Sequence, residues 1–161
     1  FKQKTAYEIV DCDWSSDVCS SDLTNGALDN VEAISKGTVE SGLVSGDVAF
    51  WASRGGGPFE GRGPVKKIAT VASLYPEAVH LVVRRDSGIK RIQSLAGKRV
   101  SLGTERSAVP IVARAILRAY GVDGDGTKYV NEGPLRSAEM LSKSQIDAFF
   151  VIAGQIGRAH V

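Results

Sequence analysis

The sequence has few of the residues and motifs from which function is most directly inferred. Its 161 residues include two cysteines, two histidines and one methionine, and the formal net charge is only +2. Because this charge is small, the composition does not indicate a nucleic-acid surface, and we expect no nucleic-acid partner. No stretch of 18 consecutive apolar residues occurs, so no membrane-spanning helix is predicted. The rest is ordinary globular composition, 43% hydrophobic and 24% charged, typical of one sizeable domain or parts of two.

Motifs for catalysis and for metal or nucleotide binding are also missing. Residues 24–155 contain no Gly-x-Ser-x-Gly elbow, no cysteine–histidine pair and no cluster of metal-ligand type. The glycine-rich stretch 55–63 lacks the Gly-Lys-Ser/Thr ending of a phosphate loop. Residues 123–126 lack the later ligands of a calcium loop and are interpreted as a turn. His80 lies in an apolar run, where a single histidine is usually structural. We therefore expect no enzymatic activity, no metal and no other cofactor.

The two ends of the chain have an unusual relation to each other. Residues 156–161 can be encoded by bases whose complementary strand translates to residues 17–22. Such a relation is expected when one oligonucleotide is ligated to both sides of an insert, and residues 1–23 resemble a translated sequencing adapter. We interpret 1–23 as an adapter-like, disordered segment and 156–161 as adapter-like, and we exclude both from fold prediction. The remaining residues 24–155 have no cysteine and a net charge of +4, which is compatible with an acidic ligand.

Hydrophobic spacing in residues 24–155 predicts alternating helices and strands. Apolar residues three or four positions apart predict helices, and runs of β-branched residues predict strands. The predicted helices are 28–36, 47–53, 92–96, 107–120 and 137–144, and the predicted strands are 39–44, 68–74, 79–83, 99–102, 128–131 and 146–153. This alternation predicts an α/β protein with largely parallel sheets.

One segment is typical of an anion-binding site. A predicted strand ends before Gly103, which is expected to form a tight turn, and a helix is predicted to start at Ser107. Several backbone amides and the positive end of the helix dipole would then face one place. Thr104 and Ser107 would add hydroxyl donors, whereas Glu105 would oppose an anion unless it faced away. The alternative is that Ser107 only caps its own helix.

Further candidates follow the ends of other predicted strands, since open α/β sheets bind ligands beyond the carboxyl ends of their strands. Tyr75 ends one such strand, and its phenol either reaches a cleft or packs in the core. Ser45 and Asp47 follow another strand, and they either contact a ligand or only begin a helix. Gly154 ends the last strand, where the lack of a side chain would allow close approach to the backbone.

Several motifs together resemble the TAXI family, the solute receptors of a class of TRAP transporters. The resemblance covers about residues 27–155, and its most discriminating part is Leu-Tyr-Pro-Glu-Ala-Val-His-Leu at 74–81. Other matching segments are Gly-Pro-Phe-Glu-Gly at 57–61, Ser-Gly-Ile-Lys at 87–90, Leu-Ala-Gly-Lys-Arg-Val-Ser-Leu-Gly at 95–103 and Gln-Ile-Asp-Ala-Phe-Phe at 145–150.

The resemblance implies a type II periplasmic-binding-protein-like fold, in which two α/β lobes close over a small ligand. We expect residues 24–84 to belong to the first lobe and 85–155 to the second, with the crossing at 84–88 and with the fold incomplete in this fragment. The resemblance also implies a small anionic solute, such as glutamate or 2-oxoglutarate, and delivery to an integral-membrane TRAP permease. The implied location is periplasmic, and the missing signal sequence carries no weight because the ends are adapter-like.

By position, the resemblance implies that Tyr75 contacts the ligand and that the turn 103–107 grips its anionic group. The chain departs from the family at two places. Where the family has Gln-Ser-Asp, this chain has Ser-Gly-Asp, so that only Asp47 carries over cleanly. Where the family has Gly-Ser-Gly-Thr, this chain has Thr-Glu-Arg-Ser at 104–107, and Arg106 could itself pair with a carboxylate.

Two other functions are compatible with the same architecture. An effector-binding domain of a transcription regulator would need a helix-turn-helix segment upstream. An enzyme on this fold would need a nucleophile or a cofactor-bearing residue, and residues 24–155 show none. Because the resemblance places part of the ligand cleft outside this sequence, we expect the chain alone to bind ligand poorly or not at all.

Overall fold

The computed structural model describes residues 24–124 and 126–154, which fall into two units. The first unit ends at Ala72 and the second begins at Ser73. The two adapter-like end segments, with both cysteines, lie outside the described residues, so their predicted disorder stays a prediction. The turn at 84–88 lies within the second unit, and the assignment of two lobes meeting there also stays a prediction.

The described part of the first unit contains two helices, α1 (Ala27–Lys36) and α2 (Gly46–Arg54). Both helices bury residues three or four positions apart, Leu28 and Val31 in α1 and Val48 and Ala52 in α2, as expected for amphipathic helices. Gly37 ends α1 in the left-handed conformation. The glycine-rich loop that follows α2 contains one turn of 3₁₀ helix, Gly57–Phe59, and buries Phe59.

Two predicted strands are wrong. Residues 39–44 and 68–74 form no strand, and no described residue pairs with either segment. Within the second segment, the side chain of Val71 is 98% exposed and that of Leu74 is 67% exposed. A β-branched composition favours a strand only where a neighbouring strand can satisfy the backbone hydrogen bonds, and that condition is not local in sequence.

The second unit is built on a four-stranded sheet in the order β1-β4-β2-β3. Strand β2 pairs in parallel with β3 and with β4, whereas β1 pairs antiparallel with β4. The strands are β1 (Ala78–Val83), β2 (Arg99–Ser101), β3 (Lys128–Val130) and β4 (Ala148–Ala153), and the helices are α3 (Val109–Ala119) and α4 (Pro134–Ser142). This mixed arrangement confirms the α/β class and is consistent with part of a periplasmic-binding-protein-like domain.

The core of the second unit lies between α3 and the sheet. Ala113 and Leu117 of α3 are fully buried, and they belong to one cluster with Val100 of β2 and Phe150 of β4. The four-residue spacing of the two helix positions places them on one face. The predicted helix therefore exists, but it begins at Val109 rather than at residue 107.

An ionic cluster joins β1, β2 and β4 at the end of the sheet where the parallel strands begin. Asp147, just before β4, accepts hydrogen bonds from the backbone amide and guanidinium of Arg99 at 2.9–3.1 Å. Its own amide donates to the Arg99 carbonyl, and its carbonyl accepts from the Arg84 amide after β1. The hydrogen bonds from the Arg99 side chain lower the pKa of Asp147 to about 2, against the opposing effect of burial.

We expect Asp147→Asn to reduce the free energy of unfolding by roughly 1–2 kcal/mol at pH 7. This is the free energy that corresponds to the lowered pKa of Asp147, reduced because solvent screens the ion pair. Because the pKa of Asp147 is lower in the folded chain, its contribution is complete above about pH 5 and is lost as pH falls from 4 towards 2. Urea unfolding between pH 7 and pH 3 measures this difference. Asp86→Asn, at a carboxylate that is 76% exposed and paired with Arg84, should change stability little. A loss in Asp147→Asn that does not depend on pH would contradict the electrostatic origin.

Candidate functional site

The carboxyl ends of the three parallel strands lie at one edge of the sheet. Strand β2 ends at Ser101, β3 at Val130 and β4 at Ala153. Because β1 is antiparallel, its first residue, Ala78, lies opposite Ala153 at the same edge. Open α/β sheets bind ligands at this edge, and six of the eight residues predicted to bind ligand belong to segments that meet it: Tyr75, Gly103, Thr104, Arg106, Ser107 and Gly154.

Gly103 fixes the path of the chain from β2 into α3. Its φ angle is +86°, a conformation that other residues rarely adopt. A Cβ atom at this position would lie 2.7 Å from the Cβ of Val109, so that no side chain fits there. The preceding residue, Leu102, is fully buried, and its amide donates to the carbonyl of Val130. The tight turn predicted at Gly103 is therefore confirmed, and its cause is the close approach of α3.

Hydrogen bonds within the turn occupy donors that the sequence suggested for a ligand. The Ser107 hydroxyl donates to the Thr104 carbonyl at 2.7 Å and accepts from the Val109 amide at 3.3 Å. The Ser107 amide also donates to the Thr104 carbonyl, and Pro110 has no amide hydrogen. The expectation of outward-facing amides is therefore wrong at these three positions. The N-cap of α3 is Ala108, and it has no side-chain cap bond, so Ser107 lies one residue before the cap and its bonds close the turn instead. The contact of Ser107 with a ligand stays a prediction.

The turn also carries two charged side chains. Arg106 and Thr104 are partly buried, and Glu105 is exposed. The guanidinium of Arg106 has the donor geometry to bind a carboxylate through two hydrogen bonds. The carboxylate of Glu105 would weaken the binding of an anion at the same place. The electrostatic character of this turn is therefore mixed.

A second turn, between β3 and α4, lies beside the first. A Cβ atom on Gly133 would lie 3.6 Å from the Cγ2 of Thr104. Beneath the two turns, the Ser137 hydroxyl lies 2.8 Å from the Ser101 hydroxyl, and both lie 3.2–3.3 Å from the Glu132 carbonyl. Both serine side chains are almost fully buried. Buried hydroxyls that are satisfied in this way hold a unique geometry, so this pair ties the end of β2 to the start of α4.

The sequence interpretation missed this second turn. It placed the start of the helix at residue 137, whereas α4 begins at Pro134. The signal was present, because Pro134 follows β3 after only three residues, and a proline in the first turn is typical of a helix start. No comparable signal marks Ser101 and Ser137, since two serines 36 residues apart do not reveal that their hydroxyls meet.

Tyr75 and Gly154 form a separate pair at the same edge. A Cβ atom on Gly154 would lie 3.9 Å from two atoms of the Tyr75 ring. The Nε2 atom of His80 lies 3.3 Å from the Gly154 carbonyl. Tyr75 is 49% exposed, so it is not a core residue, which was the alternative interpretation. The structure therefore brings together two predicted ligand contacts and adds His80 beside them.

The turn at Gly103 and the pair of Tyr75 and Gly154 lie at different positions along the strand direction. Ser101 pairs with Phe149, so Gly103 is level with a residue near Val151, whereas Gly154 lies three residues further along. At about 3.3 Å per residue, this separates the two groups by roughly 10 Å along the strand direction. A small ligand with polar groups at both ends could span such a distance only in part.

Ser45 and Asp47 belong to the first unit. Ser45 is the residue before α2, and the Asp47 carboxylate accepts a hydrogen bond from the Val48 amide at 2.8 Å. An acidic residue in the first turn of a helix is stabilised by the helix dipole. These features agree with the alternative of a helix start, and the part of both residues in a ligand site stays a prediction.

Asp123 lies in a turn after α3, and its carboxylate is already engaged. Its carboxylate accepts hydrogen bonds from Arg118 at 2.9 Å and from the Tyr129 hydroxyl at 3.1 Å. The bond from Arg118 lowers the pKa of Asp123, while burial and this carboxylate raise the pKa of Tyr129. In residues 24–124 and 126–154, no three histidine, cysteine or acidic side chains form a group suited to a metal ion.

None of the helices in the described ranges has the length and hydrophobicity needed to cross a membrane. Comparison with protein families gives a match to the NMT1-like family over residues 8–159. The matched span covers nearly the whole chain and includes parts of both end segments. It does not identify a ligand or a partner.

We expect Gly103→Ala to be far more destabilising than Gly97→Ala. Both glycines have a positive φ, but a Cβ on Gly97 would meet nothing within 4 Å. Gly97→Ala thus measures the backbone cost alone, about 1 kcal/mol, and Gly103→Ala adds a clash with Val109 that costs about 1–3 kcal/mol more. Chemical unfolding followed by circular dichroism measures both. Equal losses of stability would show that the close approach of α3 is not the constraint at Gly103.

Proposed function

The chain belongs to the NMT1-like family, a periplasmic-binding-protein-like family linked to the solute-binding proteins of transporters, and from this premise we propose that it captures a small carboxylate. The family is generally non-enzymatic, so we assign binding and release, without catalysis, to the edge formed by the carboxyl ends of the strands. Within the family, the motifs at 74–81 and 95–103 favour a receptor of the TAXI type.

The observation that carries the proposal is the meeting of two strand-to-helix turns at this edge. Gly103 and the buried pair of Ser101 and Ser137 hold the turns in fixed positions, which lowers the entropic cost of binding. Such a rigid support is what a site on loops requires. No catalytic group has to be added, because capture needs only complementary contacts.

Arg106 supports a carboxylate as the ligand. It is the one cationic side chain of the turn 103–107, and a guanidinium–carboxylate pair combines charge with two directed hydrogen bonds. Thr104 supplies a hydroxyl beside it, while the Ser107 hydroxyl is used within the turn. Glutamate and 2-oxoglutarate have carboxylates at both ends, so that one carboxylate would pair with Arg106 and the other would extend towards Tyr75. Because the two groups are separated by roughly 10 Å along the strands, the half-exposed phenol of Tyr75 would complete such a site only through an intervening group.

The partner and the location follow from the same proposal. A TAXI-type receptor would work outside the cytoplasm, in the periplasm, and would deliver its solute to an integral-membrane TRAP permease. No cofactor is required for either step. An effector-binding domain of a transcription regulator would use the same edge, but it would deliver a signal to DNA instead of a solute to a membrane.

We expect 2-oxoglutarate and glutamate to shift the backbone NMR signals of residues 103–107 in the isolated chain, with an affinity of about 1 mM. Arg106→Gln should weaken binding about 10–100-fold, the usual effect of losing hydrogen bonds to a charged group. Glu105→Gln is the matched control in the same turn, and it should leave binding unchanged or strengthen it, because it removes a repulsive charge.

Three results would count against this assignment. Glutamine, which lacks the side-chain carboxylate, should bind more weakly than glutamate, and equal binding would exclude recognition of a dicarboxylate. Signal changes only outside residues 103–107 would place the site elsewhere. Micromolar binding by this chain would contradict the expectation that part of the cleft lies outside it.

A further inference from the structure

The segment that joins the two units is exposed along nearly its whole length. Residues 67–77 are exposed at every position except Ile68, which is partly buried. Large apolar side chains are among them, most notably Val71 at 98% and Leu74 at 67% exposure. Contiguous apolar exposure of this kind marks an interaction surface. No described residue pairs with the backbone of this segment.

The composition of the segment is that of a strand. Residues 68–75 read Ile-Ala-Thr-Val-Ala-Ser-Leu-Tyr, without charge, glycine or proline, and such runs have high strand propensity. Two lysines precede the run, and Pro76 and Glu77 follow it. Charged residues at both flanks and a proline at one of them are typical of strand segments that are protected against nonspecific pairing.

We propose that this segment pairs with the same segment of a second copy, as antiparallel strands related by a two-fold axis at Ala72. In this register Lys67 of each copy lies opposite Glu77 of the other, so that two ion pairs of opposite charge close the ends. A two-fold axis requires one residue to lie opposite itself. The neighbouring register, centred on Val71, places Lys67 opposite Tyr75 and has no charge pairing.

The position of the proline also fits the register centred on Ala72. Hydrogen-bonded and non-hydrogen-bonded pairs alternate along an antiparallel ladder. If the Ala72 pair is non-hydrogen-bonded, the pair of Ile68 and Pro76 is as well, and the missing amide hydrogen of Pro76 costs nothing. The small side chain of Ala72 suits the close approach of the strands at such a pair.

The expected dimer is weak. A pair of strands alone is marginally stable in water, and the contact of one short segment lies below the usual size of a stable interface. We therefore expect dissociation constants of roughly 0.1–1 mM. Tyr75 belongs to this segment and is also a proposed ligand contact, but the register rests on Lys67, Ala72 and Glu77, to which the proposed function assigns no role.

Cross-linking of the full chain tests the register directly. With both native cysteines replaced by serine, Ala72→Cys should form a disulfide-linked dimer on mild oxidation, because the two Cα atoms at a non-hydrogen-bonded pair lie about 4.5 Å apart. Leu135→Cys, at a side chain that is 85% exposed outside the segment, controls for random collision. Val71→Cys lies opposite Ser73 instead of itself, so it should cross-link more slowly. Equal rates for all three variants would overturn the proposal.

Charge reversal tests the partner without cross-linking. Sedimentation equilibrium should show Lys67→Glu dissociating about tenfold more readily, because two attractive pairs become repulsive. Lys67→Glu combined with Glu77→Lys should restore association, since the opposite charges meet again. A failure of the double variant to recover would overturn antiparallel self-pairing. Protection of the amides of 69–74 from hydrogen exchange at concentrations where the chain is monomeric would also overturn it, because another segment would then cover them.

Discussion

The second unit depends on β2, a strand of only three residues that must be held at both ends. Side-chain hydrogen bonds hold both ends of β2. At the first end, the backbone amide and guanidinium of Arg99 donate to the Asp147 carboxylate, and at the last end the Ser101 hydroxyl accepts from the Ser137 hydroxyl. Between them Val100 is fully buried. A strand this short has too few ladder bonds to fix its own register, so the side-chain bonds at its ends take over that role.

The same constraint builds the candidate site and limits it. Because α3 must pack on the sheet directly after β2, the chain turns at Gly103 with no room for a side chain, and the donors of Ser107 are used to close that turn. The proposed recognition therefore rests on the side chains of Arg106 and Thr104, beside the second turn at Gly133. Recognition at this edge is therefore expected to depend on side chains more than on the amides of a helix N-terminus, which is the usual source of anion binding at such turns.

Features encoded locally were predictable from the sequence, and features that need a distant partner were not. The periodic helices α1 and α3 and the apolar strands β1 and β4 were found because their patterns lie within a few residues. Residues 39–44 and 68–74 have equally good strand composition, yet no described strand lies beside them to complete a ladder. Tyr75 and Gly154 were each selected by position, but their contact could not be foreseen, because it arises from the antiparallel pairing of β1 with β4. The hydrogen bond between Ser101 and Ser137 could not be predicted either, because it joins residues that are distant in the sequence.

The placement of charge in the second unit separates stabilisation from recognition. Asp147 and Asp123 both precede strands, at the edge opposite the candidate site, and arginines neutralise each of them. These pairs are partly screened from water, so they contribute to stability and leave little net field. At the candidate edge the turn 103–107 carries one cation, Arg106, and one carboxylate, Glu105. Because the Glu105 carboxylate repels an anion bound at the same turn, the balance of these two charges, more than the shape of the edge, is expected to set the affinity for an anion.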